Sequence, residues 1–68
     1  METTTAPRLL RLPEVEKRTG LGRSTIYNRM IAGTFPRSVP LGGGRLVGWI
    51  EADVSEWVYA CVRSATAR

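Results

Sequence analysis

The side chains with most to offer chemically lie in one run, Arg23-Ser24-Thr25-Ile26-Tyr27-Asn28-Arg29, directly behind the pair Leu21-Gly22. All of them except Ile26 carry a polar side chain that donates hydrogen bonds, and none is acidic. Such a set suits the phosphates and base edges of a nucleic acid better than it suits bond-making. The guanidinium of Arg23 matches guanine O6 and N7, and it equally matches a phosphate. Asn28 has the amide that pairs with adenine, Ser24 and Thr25 add hydroxyls, and Arg29 adds charge for a phosphate. The Tyr27 phenol fits a phosphate if it points outward; turned inward, its ring would close the edge of a small core.

Charge placement reinforces this reading. From Lys17 to Ile50 there is no aspartate or glutamate, while Lys17, Arg18, Arg23, Arg29, Arg37 and Arg45 all fall in that window. The acids are set outside it: Glu2, Glu14 and Glu16 before, and Glu51, Asp53 and Glu56 after. A net charge of +4 and a pI of about 10.2 agree with a polyanionic partner. Position along the chain nevertheless carries more information than the total.

Catalysis has little to work with. Glu14 with Glu16, and Glu51 with Asp53, are i, i+2 pairs, which on a helix diverge and do not share a reacting atom. There is no histidine, and the single cysteine, Cys61, has neither a disulfide partner nor a base to activate it. Gly42-Gly43-Gly44-Arg45 lacks the Gly-Lys-Ser/Thr of a phosphate-binding loop, and no metal-ligand spacing occurs. The expectation is therefore a protein that is not an enzyme, with no cofactor, no metal and no small-molecule ligand. No apolar run approaches the roughly 20 residues of a membrane span, and Met1 to Leu12 lacks the apolar middle of a signal peptide. Bacterial cytoplasm, at the nucleoid, is the expected location.

The elements that must carry these residues follow from the punctuation. Residues 1–7 are polar with a proline and read as a disordered leader, residues 8–64 as one small domain, and 65–68 as a frayed tail. Pro13 suits a helix start, Glu14 and Glu16 the first turn, Lys17 and Arg18 the last, and Gly20 the stop, which predicts a helix over 13–19. Lys17 and Arg18 then serve the helix dipole. Only Leu21 and Gly22 precede the next helix, 23–32, so the two must turn sharply as a helix-turn-helix. Ile26 and Met30 form its inward ridge toward Val15 and Leu21, while Ser24, Tyr27, Asn28 and Ile31 fall on its outer arc.

After Pro36 the pattern becomes extended, and Ser38 to Leu41 and Leu46 to Trp49 read as a ribbon of two strands around the glycine tip, with Pro40 on an edge. Arg45 is the only charge on that tip, suited to a phosphate or the minor groove; Arg37 is suited to a phosphate. A third helix shows Val54, Trp57, Val58, Cys61 and Val62 at i, i+3, i+4, i+7 and i+8, one buried face with Trp57 at the core centre and Cys61 inside. The fold class expected is mainly α with a small β-hairpin: a winged helix-turn-helix of three helices plus a wing.

Four ordered blocks carry a family resemblance: Leu10 to Val15, Thr19 to Tyr27, Gly33 to Pro36, and Gly48 to Trp57. Together they resemble the AlpA family of phage and prophage regulators, which is similar in fold to the DNA-binding part of MerR-type regulators and to small excisionases. The resemblance implies a transcriptional regulator of double-stranded DNA, with integrase or excision genes of a mobile element as its targets. Two other readings use the same chain differently: an excisionase-like protein that bends attachment-site DNA, and a protein-interaction module docking through the wing or the Val54 to Val62 stripe. No heptad segment follows the third helix, so a monomer, or weak tandem association on DNA, is expected.

Overall fold

The computed structural model describes residues 6–67, so the expected leader and tail lie partly outside the described residues. Within them, β1 (Leu9–Leu10), α1 (Leu12–Thr19), α2 (Arg23–Ala32), β2 (Val39–Pro40), β3 (Val47–Ile50) and α3 (Glu51–Thr66) follow one another. They form a winged helix-turn-helix, mainly helical with a small antiparallel sheet.

Local chemistry explains the first two helices. Pro13 sits in the first turn of α1, one residue after its start, where a missing N–H costs nothing. At the other end Gly20 takes a left-handed φ of 76° and its N–H donates to the Glu16 carbonyl. A side chain there would be strained, so glycine fixes where the chain leaves the helix. Thr19 then stitches the turn: its hydroxyl donates to the Val15 carbonyl at 2.8 Å and accepts the Leu21 N–H at 3.2 Å. α2 starts at Arg23 after Gly22, which offers no side-chain cap, and ends at Gly33.

The sheet is larger than the expected isolated ribbon. Its order is β1-β3-β2, all antiparallel, with Leu9 opposite Ile50, Leu10 opposite Trp49, Val39 opposite Gly48 and Pro40 opposite Val47. Pro40 does lie on an edge strand, where its missing N–H breaks no ladder. β3 is central, and that is why Gly48 is buried: a Cβ there would meet the Leu10 carbonyl oxygen at 3.0 Å and Leu41 at 3.1 Å. β3 runs straight into α3, whose first N–H, that of Glu51, donates to the Arg8 carbonyl at 2.8 Å. The strand partner thus replaces a side-chain cap.

Leu10, Val15, Ile26, Phe35, Trp49 and Val54 are the buried core, with Leu12, Leu21, Tyr27, Met30, Val47 and Trp57 packed against it. Trp49, not Trp57, holds the centre, with no exposed surface at all. Its indole N–H donates to the Pro36 carbonyl at 3.2 Å, and the Tyr27 ring meets it edge-on at 6.2 Å. Trp57 is half-buried at the rim, edge-on to Phe35 at 4.9 Å, and donates to the Thr34 carbonyl at 2.8 Å. Both indoles therefore pin the segment between α2 and β2.

The apolar stripe of α3 is longer than the surface that can cover it. α3 has 16 residues and α1, on which it packs together with β3, only 8. At about 1.5 Å per residue the far half of α3 runs past the end of α1. Val54 is fully buried, Trp57 and Val58 partly so, but Cys61 is exposed, Val62 is 53% exposed and Tyr59 62%. Cys61 is a surface residue, contrary to its place in the periodic pattern. The helix continues through Thr66, two residues into the stretch read as frayed.

Two substitutions test this account by urea unfolding followed by circular dichroism. Trp49→Ala is expected to cost about 3–5 kcal/mol, enough to unfold most of a chain this small. Gly48→Ala is expected to cost about 1–3 kcal/mol, because the neighbour that must give way is a backbone carbonyl. Wild-type stability in either variant contradicts the packing described.

Candidate nucleic-acid interface

The residues singled out by type end up on the surface that the core leaves uncovered. Ile26 is fully buried and Met30 partly so, which fixes the rotation of α2 against Val15 and Leu21. With about 100° between successive residues, Ser24, Asn28 and Ile31 must then form a ridge on the opposite side. All three are exposed, as are Arg23, Thr25 and Arg29. On the same helical wheel Arg23 lies about 80° from Ile31 and Arg29 about 100° from Asn28, one on either flank of the ridge. An uncharged ridge is thus bordered by cations.

Tyr27 divides its duties. Its ring is half-buried against Trp49, and the Arg23 guanidinium carbon sits over it, 5.9 Å from the ring centroid. Stacking on an aromatic face is an arrangement that suits a delocalised guanidinium, worth about 0.5–1 kcal/mol at an exposed site. The aromatic chain Trp49, Tyr27, Arg23 therefore runs from the centre of the core to the first turn of α2. Sequence reasoning overlooked this contact. The i, i+4 spacing of Arg23 and Tyr27 was its signal.

Arg37 is exposed between α2 and β2, and Arg45 is exposed at the tip of the β2–β3 hairpin. That tip is closed by two backbone bonds, the Leu41 N–H to the Leu46 carbonyl at 2.8 Å and the Leu46 N–H to the Gly43 carbonyl at 3.1 Å. Arg45 is therefore presented on an ordered turn. Among the described residues Arg23, Arg29, Arg37 and Arg45 form no salt bridge. Glu14, Glu51 and Glu56 are paired elsewhere.

Arg18 shows where they are used. It reaches Glu14 on its own helix at 3.3 Å and Glu51 at the head of α3 at 2.9 Å, and Arg8 approaches Glu51 at 3.9 Å. Arg63 pairs with Glu56 at 3.2 Å. These partly exposed pairs contribute roughly 0–1 kcal/mol each. Their larger effect is on where charge is left over. Acids at the α1–α3 junction neutralise neighbouring arginines, whereas α2 and the wing keep theirs. No helix of the described residues is long and apolar enough to cross a membrane, and they contain no cluster of three or more potential metal ligands.

Comparison with known proteins gives the same architecture a lineage. The family model described as prophage CP4-57 regulatory protein (AlpA) matches residues 8–62, a span that takes in β1, both helices of the helix-turn-helix, the wing and most of α3. The DNA-binding transcriptional activator AlpA of Escherichia coli (strain K12) is 42% identical over 64 residues, covering 85% of this chain and 90% of that protein. The uncharacterized protein ORF88 of Enterobacteria phage P4 is 46% identical over 54 residues, covering 79% of this chain and 60% of that protein. With a match that spans every element of the fold, this chain belongs to the family of the prophage CP4-57 regulatory protein AlpA.

Proposed function

We propose that this protein binds double-stranded DNA sequence-specifically and regulates transcription, with integrase or excision genes of a phage or other mobile element as its targets. The observation that carries the reading is the exposed ridge of α2. Its base-matching side chains, Ser24 and Asn28, are uncovered, while Arg23 and Arg29 flank them without acidic partners among the described residues. A major groove about 12 Å wide admits such a helix, with bases at its floor and phosphates along both walls. The relative named a DNA-binding transcriptional activator supports the same reading.

Roles divide by position. Arg23, in the first turn, and Asn28 read base edges, with Ser24 and Thr25 beside them, because the N-terminal part of a recognition helix lies deepest. Arg29, Arg37 and Arg45 meet phosphates, and Arg45 does so from the wing alongside the groove. Tyr27 acts from beneath, holding Arg23 extended over its ring. The protein works as a monomer or in weak tandem association on DNA.

Three measurements test this. With Arg18 committed to Glu14 and Glu51, Lys17 serving its helix and Arg23 on a base, Arg29, Arg37 and Arg45 are left for phosphates, so the log–log dependence of affinity on salt should have a slope on the order of −3. A slope near −1 would show that this surface is not the contact. On matched and scrambled duplexes, Arg23→Ala and Asn28→Ala should each cut discrimination by about 1–3 kcal/mol, whereas Arg45→Ala should weaken both duplexes alike. The reverse ranking contradicts the division of roles. Finally, the protein should change the activity of an integrase promoter reporter. If it instead stimulates excision with integrase supplied independently and leaves the promoter unchanged, its role is that of an architectural recombination factor.

A further inference from the structure

Ile31 is 85% exposed, the most exposed large apolar side chain among the described residues, and it stands on the face of α2 that carries Ser24 and Asn28. Seven positions separate it from Ser24. At about 100° and 1.5 Å per residue this returns it to within about 20° of the same line, roughly 10 Å further along the helix. From Asn28 it is three positions away, a rise of about 4.5 Å. The fold has no use for an isoleucine there: the inward ridge is Ile26 and Met30, and the core lies on the other side. Nor does helix formation call for it, since alanine, leucine, lysine and arginine all favour a helix more.

With α2 in the major groove, an apolar group on the ridge between the two cationic flanks is turned toward the base edges. The one apolar feature that B-form DNA displays there is the C5-methyl group of thymine, which projects into the major groove only. A β-branched side chain, restricted at χ1, presents its methyls at a fixed height. We propose that Ile31 is a specificity-determining contact to a thymine methyl group, about one base-pair step from the base read by Asn28. This rests on the reading that α2 occupies the major groove. It adds a preference to the target site: a thymine at the position facing Ile31.

Replacing thymine by deoxyuridine removes that methyl and leaves base pairing and backbone charge unchanged, so it isolates the contact. The probes are duplexes recovered by the wild-type chain from a random-sequence pool, then resynthesised with uracil at each thymine in turn. Wild-type protein is expected to lose about fourfold in affinity at one uracil position, the value of one buried methyl-sized group. Ile31→Ala should bind the thymine duplex several-fold more weakly and show no further loss with uracil. Because Ile31 is exposed, the variant should unfold in urea at the wild-type midpoint, which separates a lost contact from a lost fold. If wild type tolerates uracil everywhere, or if Ile31→Ala suffers the same penalty as wild type, the contact is wrong although the protein still binds DNA. If wild type retains no duplex even at low salt, the DNA-binding reading itself fails, and the contact with it.

Discussion

Burial of a single side chain, Trp49, holds the separate pieces of this protein in one arrangement. A chain of 68 residues has little apolar surface to hide, and the indole of Trp49 is its largest fully buried group. At about 25 cal/mol per Å², hiding 150–250 Å² of aromatic side chain contributes roughly 4–6 kcal/mol, the order of the whole stability of a small domain. Its contacts reach in three directions. Through its strand it joins β1 and β2, through the Tyr27 ring it meets α2, and through its N–H it anchors the Pro36 carbonyl. The placement of α2 relative to the wing rests on these contacts, with Trp57 securing the same connecting segment at Thr34.

Electrostatics then sorts the surface into two kinds. Where α1 meets α3, Arg18 lies between Glu14 and Glu51, and charge is internally balanced. On α2 and the wing the arginines have no such partners among the described residues, because the sequence offers no acid between Lys17 and Ile50. A charge with only water around it keeps its full attraction for an external polyanion, whereas a paired one is partly screened by its neighbour. Segregating the acids therefore does two things together: it balances charge where α1 meets α3 and leaves α2 and the wing cationic. The Arg23 guanidinium over Tyr27 ties this cationic surface to the interior, since the ring that supports it packs against the core.

The helix-turn-helix was legible residue by residue. Gly20, Gly22 and Gly33 are local stop and start signals, and the bounds 23–32 of α2 follow from them with the Ile26 and Met30 ridge. Its exposed face was legible too, being geometrically opposite that ridge. Other features were not. Leu9 and Leu10 carry no alternation long enough to mark a strand, and only β3, some 40 residues later, makes them one. In α3 the stripe from Val54 to Val62 reads as uniformly buried, but periodicity says which side of a helix is apolar, not how far a neighbour extends along it. So Cys61 and Val62 are at the surface, and Trp57 is at the rim rather than the centre.

What the sequence by itself determined is what depends on near neighbours: where the first two helices begin and end, which face of α2 points inward, and where the uncompensated positive charge lies. Each of these is set within a few residues by backbone φ, helical period or the order of charged side chains. Only the tertiary structure decided which tryptophan sits at the centre, that β1 completes the sheet, and that Arg23 rests on Tyr27 backed by Trp49. Those outcomes hang on contacts between segments distant along the chain, and a contact of that kind is fixed by the shape of the space the other elements leave, which no local pattern encodes.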